Sequence, residues 1–129
     1  MVWNFDNNRP IYLQIMERLK VQIISNQLKS GERLLSVREL AEEAGVNPNT
    51  IQRALSELEK EGFVYAQRTA GRFVTDNHEL ILQTRDALAQ EELNRFVTNM
   101  LHFGYEQQDL GTVVTNYINT HPVKIDKEI

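Results

Sequence analysis

Between residues 49 and 60 the side chains with paired hydrogen-bonding groups recur at helical spacing. Asn49, Arg53, Ser56 and Lys60 stand at i, i+4, i+7 and i+11, with Gln52 beside Arg53. On a helix that spacing gathers them on one face. Arg presents a planar fork of N–H donors, and Asn and Gln present a donor and an acceptor side by side. These shapes match guanine and adenine edges in the major groove, which is wide enough to admit a helix. A solvated surface helix carries the same residue types, so this face alone leaves both readings open. The remaining reactive side chains are badly placed for catalysis. His78, His102 and His121 are far apart with no metal-ligand spacing, and a chain without cysteine has neither disulfides nor thiolate metal sites. The adjacent pairs Glu42 and Glu43, and Glu91 and Glu92, would point in different directions from a helix. No glycine-rich phosphate loop occurs. The sequence reads as that of a binding protein, not an enzyme, with no metal and no cofactor.

The polar face needs elements to hold it. Ser36 with Glu39 three residues later forms a capping box, which starts a helix at Val37. Leu40, Ala41 and Ala44 give this helix one apolar side, and Gly45 lets it stop. Asn47 caps a second helix, with Pro48 at the first helical position, where its missing N–H costs nothing. Ile51, Ala54, Leu55 and Leu58 then supply a buried stripe at i, i+3, i+4 and i+7. After Gly62 the period changes to alternation in FVYAQ and RFVT, predicting a two-stranded hairpin with its turn around Arg68 to Gly71. Two helices, a tight turn and a hairpin bearing Arg68 and Arg72 make a winged helix-turn-helix, and this favours the base-reading interpretation of the polar face.

Residues 10 to 74 resemble the DNA-binding domain of the GntR family of bacterial transcription regulators. The likeness lies in PIYLQI at 10 to 15, GERL at 31 to 34, SVRELA at 36 to 41, GVNPNTIQRAL at 45 to 55, LEKEGF at 58 to 63 and GRFV at 71 to 74. The NPNT-x-QRA segment is most similar to the YtrA-like branch, whose members carry a short helical tail. The resemblance implies DNA contacts from Arg38, Asn47, Asn49, Thr50, Gln52 and Arg53, and a wing tip near Gly71 and Arg72. It also places Tyr12 near the DNA backbone, although a half-buried packing role suits that residue equally. The chain departs from the family pattern at Ser30 and Leu35, where proline is usual, at Thr69, where glycine is usual, and at Arg72, where threonine is usual.

The rest of the chain is read around this motif. Met1 to Asn8 forms an arm, with Trp3 and Phe5 laid against the body, and a first helix opens at Asn8 to Pro10 and runs to about Gln27. Arg33 to Leu35 is a short extended piece able to pair with the wing. A long helix over roughly Asn77 to Phe103 ends at Gly104, and a second covers about Gln107 to Asn119, followed by a frayed end after Thr120. The expected fold is α+β and mostly helical: a winged helix-turn-helix over 1–75, then a two-helix dimerisation tail over 76–129. Leu93, Phe96, Val97, Met100 and Phe103 cover an arc too broad for one neighbour, and Val114, Tyr117 and Ile118 form a matching stripe. A two-helix hairpin buries too little surface to stand alone, so two chains are expected to pair these faces; packing of the tail on its own winged helix is the alternative.

The formal net charge of −4 is unevenly spread. Residues 1–75 hold ten Lys and Arg against nine Asp and Glu, whereas residues 76–129 hold four against nine. Phosphate attraction depends on charges within about 8 Å at physiological salt, so an acidic tail is compatible with DNA binding but argues against a histone-like coating protein. No apolar run is long enough to span a membrane, and the first residues lack signal-peptide order, so a cytoplasmic protein is expected. The reading that follows is a homodimeric, sequence-specific transcription regulator, and specifically a repressor. It would bind a pseudo-palindromic double-stranded operator through a recognition helix over about 48–61 and a wing over about 63–75. A winged helix that binds only protein is the competing class. The sequence names neither operator nor effector.

Overall fold

The computed structural model describes residues 3–125, so Met1 and Val2 of the expected arm and residues 126–129 of the expected frayed end lie outside the described residues. Two compact units are present, dividing between Thr84 and Arg85.

The first unit starts with the arm. Trp3 and Phe5 stack with ring centroids 5.9 Å apart, both pack against the core, and the Arg18 guanidinium lies 4.4 Å over the Trp3 ring. Helix α1 spans Ile11–Ile24 and buries Ile15, Met16, Leu19, Gln22 and Ile23. It stops short of the expected Gln27 because Asn26 turns left-handed at φ 65° and the Leu28 N–H donates back to the Gln22 carbonyl at 2.9 Å. Asn is among the few non-glycine residues that take this conformation readily, which is how a helix ends here without glycine.

Helix α2 (Val37–Ala44) opens with the full capping box: the Glu39 N–H donates to Ser36 Oγ at 3.1 Å, and the Ser36 N–H donates to Glu39 Oε1 at 3.0 Å. Gly45 ends it at φ 69°. Helix α3 (Pro48–Lys60) follows, with Asn47 Oδ1 accepting the Asn49 N–H at 2.8 Å and Pro48 at the first position. Its stripe of Ile51, Ala54, Leu55 and Leu58 is buried against α1 and α2 in one continuous core. Each of the larger side chains contributes about 1.5–3 kcal/mol on full burial.

Strands β1 (Val64–Gln67) and β2 (Gly71–Val74) pair antiparallel, with Val64 opposite Val74 and Gln67 opposite Gly71. The expected extended piece joins them: Arg33 bridges Phe73, the Leu34 N–H donates to the Arg72 carbonyl, and the Val74 N–H donates to the Glu32 carbonyl, both at 2.9 Å. The hairpin is therefore anchored along one edge, as an isolated two-stranded ribbon needs to be.

Helix α4 (His78–His102) starts after Asn77, whose Oδ1 accepts the Leu80 N–H at 3.1 Å, and Leu80 and Ile81 pack on the first unit's core. In the second unit α4 continues to His102, and Gly104 at φ 101° follows. The expected second tail helix begins as a single 3₁₀ turn, Gln107–Asp109, and becomes α5 (Leu110–Thr120). Among the described residues of this unit Leu110 alone is fully buried.

Candidate nucleic-acid interface

The candidate interface is carried by α2, α3 and the wing, all in the first unit. The turn joining α2 to α3 is tight because the N–H groups of Gly45 and Val46 both donate to the Ala41 carbonyl, at 2.9 and 3.1 Å. The core stripe fixes the rotation of α3 and turns Asn49, Gln52 and Arg53 outward, where all three are exposed. Arg38 is exposed on α2, and Thr50 is half-buried in the first turn of α3.

These side chains differ in what they already hold. Asn47 Oδ1 is committed to its cap, which leaves its amide donors available. Gln52 Nε2 donates to Ser56 Oγ at 3.2 Å, which leaves its carbonyl oxygen. Arg53 makes no ion pair or hydrogen bond with any described residue; its guanidinium carbon lies 3.8 Å from the centroid of the Tyr12 ring on α1.

At the wing, Thr69 lies at φ 66° and Gly71 at φ 107°. Glycine suits position 71 by its backbone conformation, and a Cβ there would come within 3.1 Å of Arg33 Nε, so the guanidinium lying across it would have to shift by a few tenths of an ångström. Arg72 is half-buried, and its Nε donates to Glu59 Oε1 of α3 at 3.2 Å, tying β2 to the recognition helix. Arg68 in the turn is exposed and has no ion pair among the described residues. Arg33 and Arg68 were not among the site residues expected from the sequence. The predicted pairing of residues 33 to 35 with the wing is the signal that could have brought Arg33 in.

Two ionisation shifts stand out in this unit. The Glu39 carboxyl is held below the usual carboxylate range, chiefly by the backbone N–H of Ser36 and then by its side chain. Arg18 is lowered by burial, partly offset by Glu43. Among the described residues no cluster of three or more His, Asp or Glu could hold a metal ion, and no helix is long and apolar enough to cross a membrane.

Residues 11–74, which contain this whole assembly, match the family described as bacterial regulatory proteins, gntR family. The regulator YhcF of Bacillus subtilis (strain 168) is 38% identical over 106 residues, which cover 82% of this chain and 88% of YhcF. The chain belongs to the GntR family. By that membership it is a DNA-binding transcriptional regulator with a winged helix-turn-helix. The repressor YtrA of the same organism is 32% identical over 105 residues, 81% of either chain. Matches of this length cannot fit within the first 74 residues, so the GntR likeness continues into the helical tail. A solved structure of a GntR family regulator from Listeria monocytogenes superposes with a TM-score of 0.78 at 35% identity, covering 87% of this chain and 98% of that one.

Proposed function

We propose that this chain is a homodimeric transcriptional repressor that reads a pseudo-palindromic operator, one α3 helix lying in the major groove of each half-site. Its action is binding, not catalysis, and its place is the cytoplasm. Arg53, Asn49 and Gln52 read base edges, while Arg38, Thr50, the Asn47 amide and the free N–H groups opening α2 contact phosphate and set the register. Gly71 lets the wing approach the duplex, and Arg72 braces it on α3.

The observation that carries this reading is the exposed face of α3, where Arg53 and Asn49 stand one helical turn apart with side-chain donors not engaged by any described hydrogen bond. Repression is supported by the likeness to YtrA, which is named a repressor. Dimerisation is supported by the second unit, where Phe103 is 74% exposed, Ile118 61% and Tyr117 55%. Beside them Phe96, Met100, Val113, Val114 and Tyr117 line an apolar cleft of about 320 Å³. Leu93 and Val97 extend the same surface along α4. Apolar area of this kind on a small helical unit is what a second copy of the tail would cover.

Selection from random duplexes tests the proposal. The expected result is a two-fold related sequence bound with an affinity that falls steeply with salt. Recovery of a single asymmetric site would overturn the dimeric arrangement, and absence of any salt-dependent DNA affinity would leave a protein-binding module.

A further inference from the structure

We propose that Tyr12 is a positioning residue for base readout by Arg53, an assignment that rests on the DNA-reading role of α3. Tyr12 stands in the first turn of α1, half-buried against the body, while Arg53 projects from the middle of α3. The two side chains come from different helices, and the core that packs α1 on α3 fixes their separation, with the guanidinium carbon 3.8 Å from the ring centroid.

The chemistry of this contact leaves the reading function intact. A cation over an aromatic ring is attracted through the ring face. The hydrogen-bond donors of a guanidinium lie in its own plane and point outward at its edge. With its carbon 3.8 Å from the centroid the guanidinium has no room to approach edge-on, so it lies with its face toward the Tyr12 ring and keeps its edge donors for a base. An unsupported Arg would have to lose its rotamer freedom on binding, whereas Arg53 is already confined by the ring. Two other arginines around the interface are held differently. Arg72 has its Nε on a carboxylate, and Arg33 lies across Gly71 in the wing. Arg53 is steadied by a partner that takes none of its hydrogen-bonding capacity. The phenol hydroxyl has no part in this role; the ring carries it.

The test uses the full chain and compares Tyr12→Phe, which keeps the ring, with Tyr12→Leu, which removes it and keeps apolar bulk. Equilibrium titration on the selected duplex, on its single-base variants and on a random duplex is expected to show Tyr12→Phe close to wild type. Tyr12→Leu should bind the selected duplex about 2–5-fold more weakly while random duplex is little affected. It should lose preference at the same base pair where Arg53→Ala loses it, and adding Tyr12→Leu to Arg53→Ala should cost nothing more. Losses equal on selected and random DNA, or additive losses in the double variant, would overturn the assignment. So would Tyr12→Phe behaving like Tyr12→Leu, since that points to the hydroxyl.

A measurement on the DNA-free wild type guards against a variant that misfolds. The Arg53 side-chain protons should show a ring-current shift and an ordered Nε–H, and a freely mobile Arg53 would refute the stacking. A wild type without sequence preference would sink the DNA-reading role and this inference together. A wild type with preference that Tyr12→Leu leaves intact would sink the inference alone.

Discussion

On the proposed reading Arg53 is the main base reader, because a bidentate contact to guanine discriminates against other bases by about 1–3 kcal/mol. Arg53→Ala is expected to cost about that much on the preferred operator and to relax selection at one position of each half-site. Asn49→Ala should act similarly at an adenine, and equal losses on specific and random DNA would remove either residue from the reading set. Another residue-scale effect is electrostatic. Glu39 is held ionised by the capping N–H of Ser36, so its folded-state pKa lies below its unfolded value. A depressed carboxyl contributes stability that is present above the unfolded pKa and is lost as pH falls through the folded one. Carbon-13 titration should therefore find Glu39 ionising below an ordinary glutamate, and Ser36→Ala should narrow the gap by removing the side-chain part of the cap. The backbone part would remain. That Arg53 and Asn49 share the exposed face of α3 could be read from spacing alone, because helical periodicity fixes which residues stand together. The pairing of Arg72 with Glu59 could not, since the two meet only when the wing folds back on α3.

At the scale of elements, local signals set most boundaries. The capping box, Gly45, and the Asn47 and Pro48 pair place α2 and α3 within one residue of expectation, because each is a short-range hydrogen-bond or steric device. Where α1 ends was less legible. Asn26 takes the left-handed position readily, but asparagine is also common elsewhere and so marks a helix end less distinctly than glycine, and the closing bond from Leu28 to Gln22 is not written in any periodicity. The wing shows a departure with an energetic consequence. Thr69 sits at φ 66°, a region that β-branched residues adopt with strain. Left-handed backbone costs a side-chain-bearing residue roughly 1–2 kcal/mol, and glycine's extra unfolded-state entropy returns part of that. Thr69→Gly should thus stabilise the protein by about 0.5–1 kcal/mol in denaturant unfolding, with an unchanged m-value. A destabilised variant would show that the Thr69 side chain supports the turn. The 3₁₀ turn before α5 is a similar case of geometry that apolar spacing does not specify.

For the whole molecule the decisive quantity is apolar surface left at the tail. The helices of the second unit were legible from their stripes, but a stripe says only that something covers it. Phe96, Met100, Val114 and Tyr117 surround an open cleft in the single chain, and Phe103 and Ile118 stand largely in solvent. If two tails pair through this face, Phe96→Asp places a carboxylate in the interface, where desolvation costs several kcal/mol unless a cation is near. The region is acidic, with four Lys and Arg against nine Asp and Glu over residues 76–129, so cations to compensate it are few. The variant should sediment as a monomer at micromolar concentration while the winged helix keeps its thermal unfolding, because the core of the first unit contains none of these residues. Two linked reading heads gain from effective concentration, and separating them should weaken operator binding by about 10²-fold without altering any DNA contact. The loss should vanish on a duplex carrying a single half-site, where one head suffices and avidity has nothing to add. A variant that stays dimeric with full affinity would move the interface away from Phe96, and a wild type already monomeric at that concentration would mean that the tail acts within one chain.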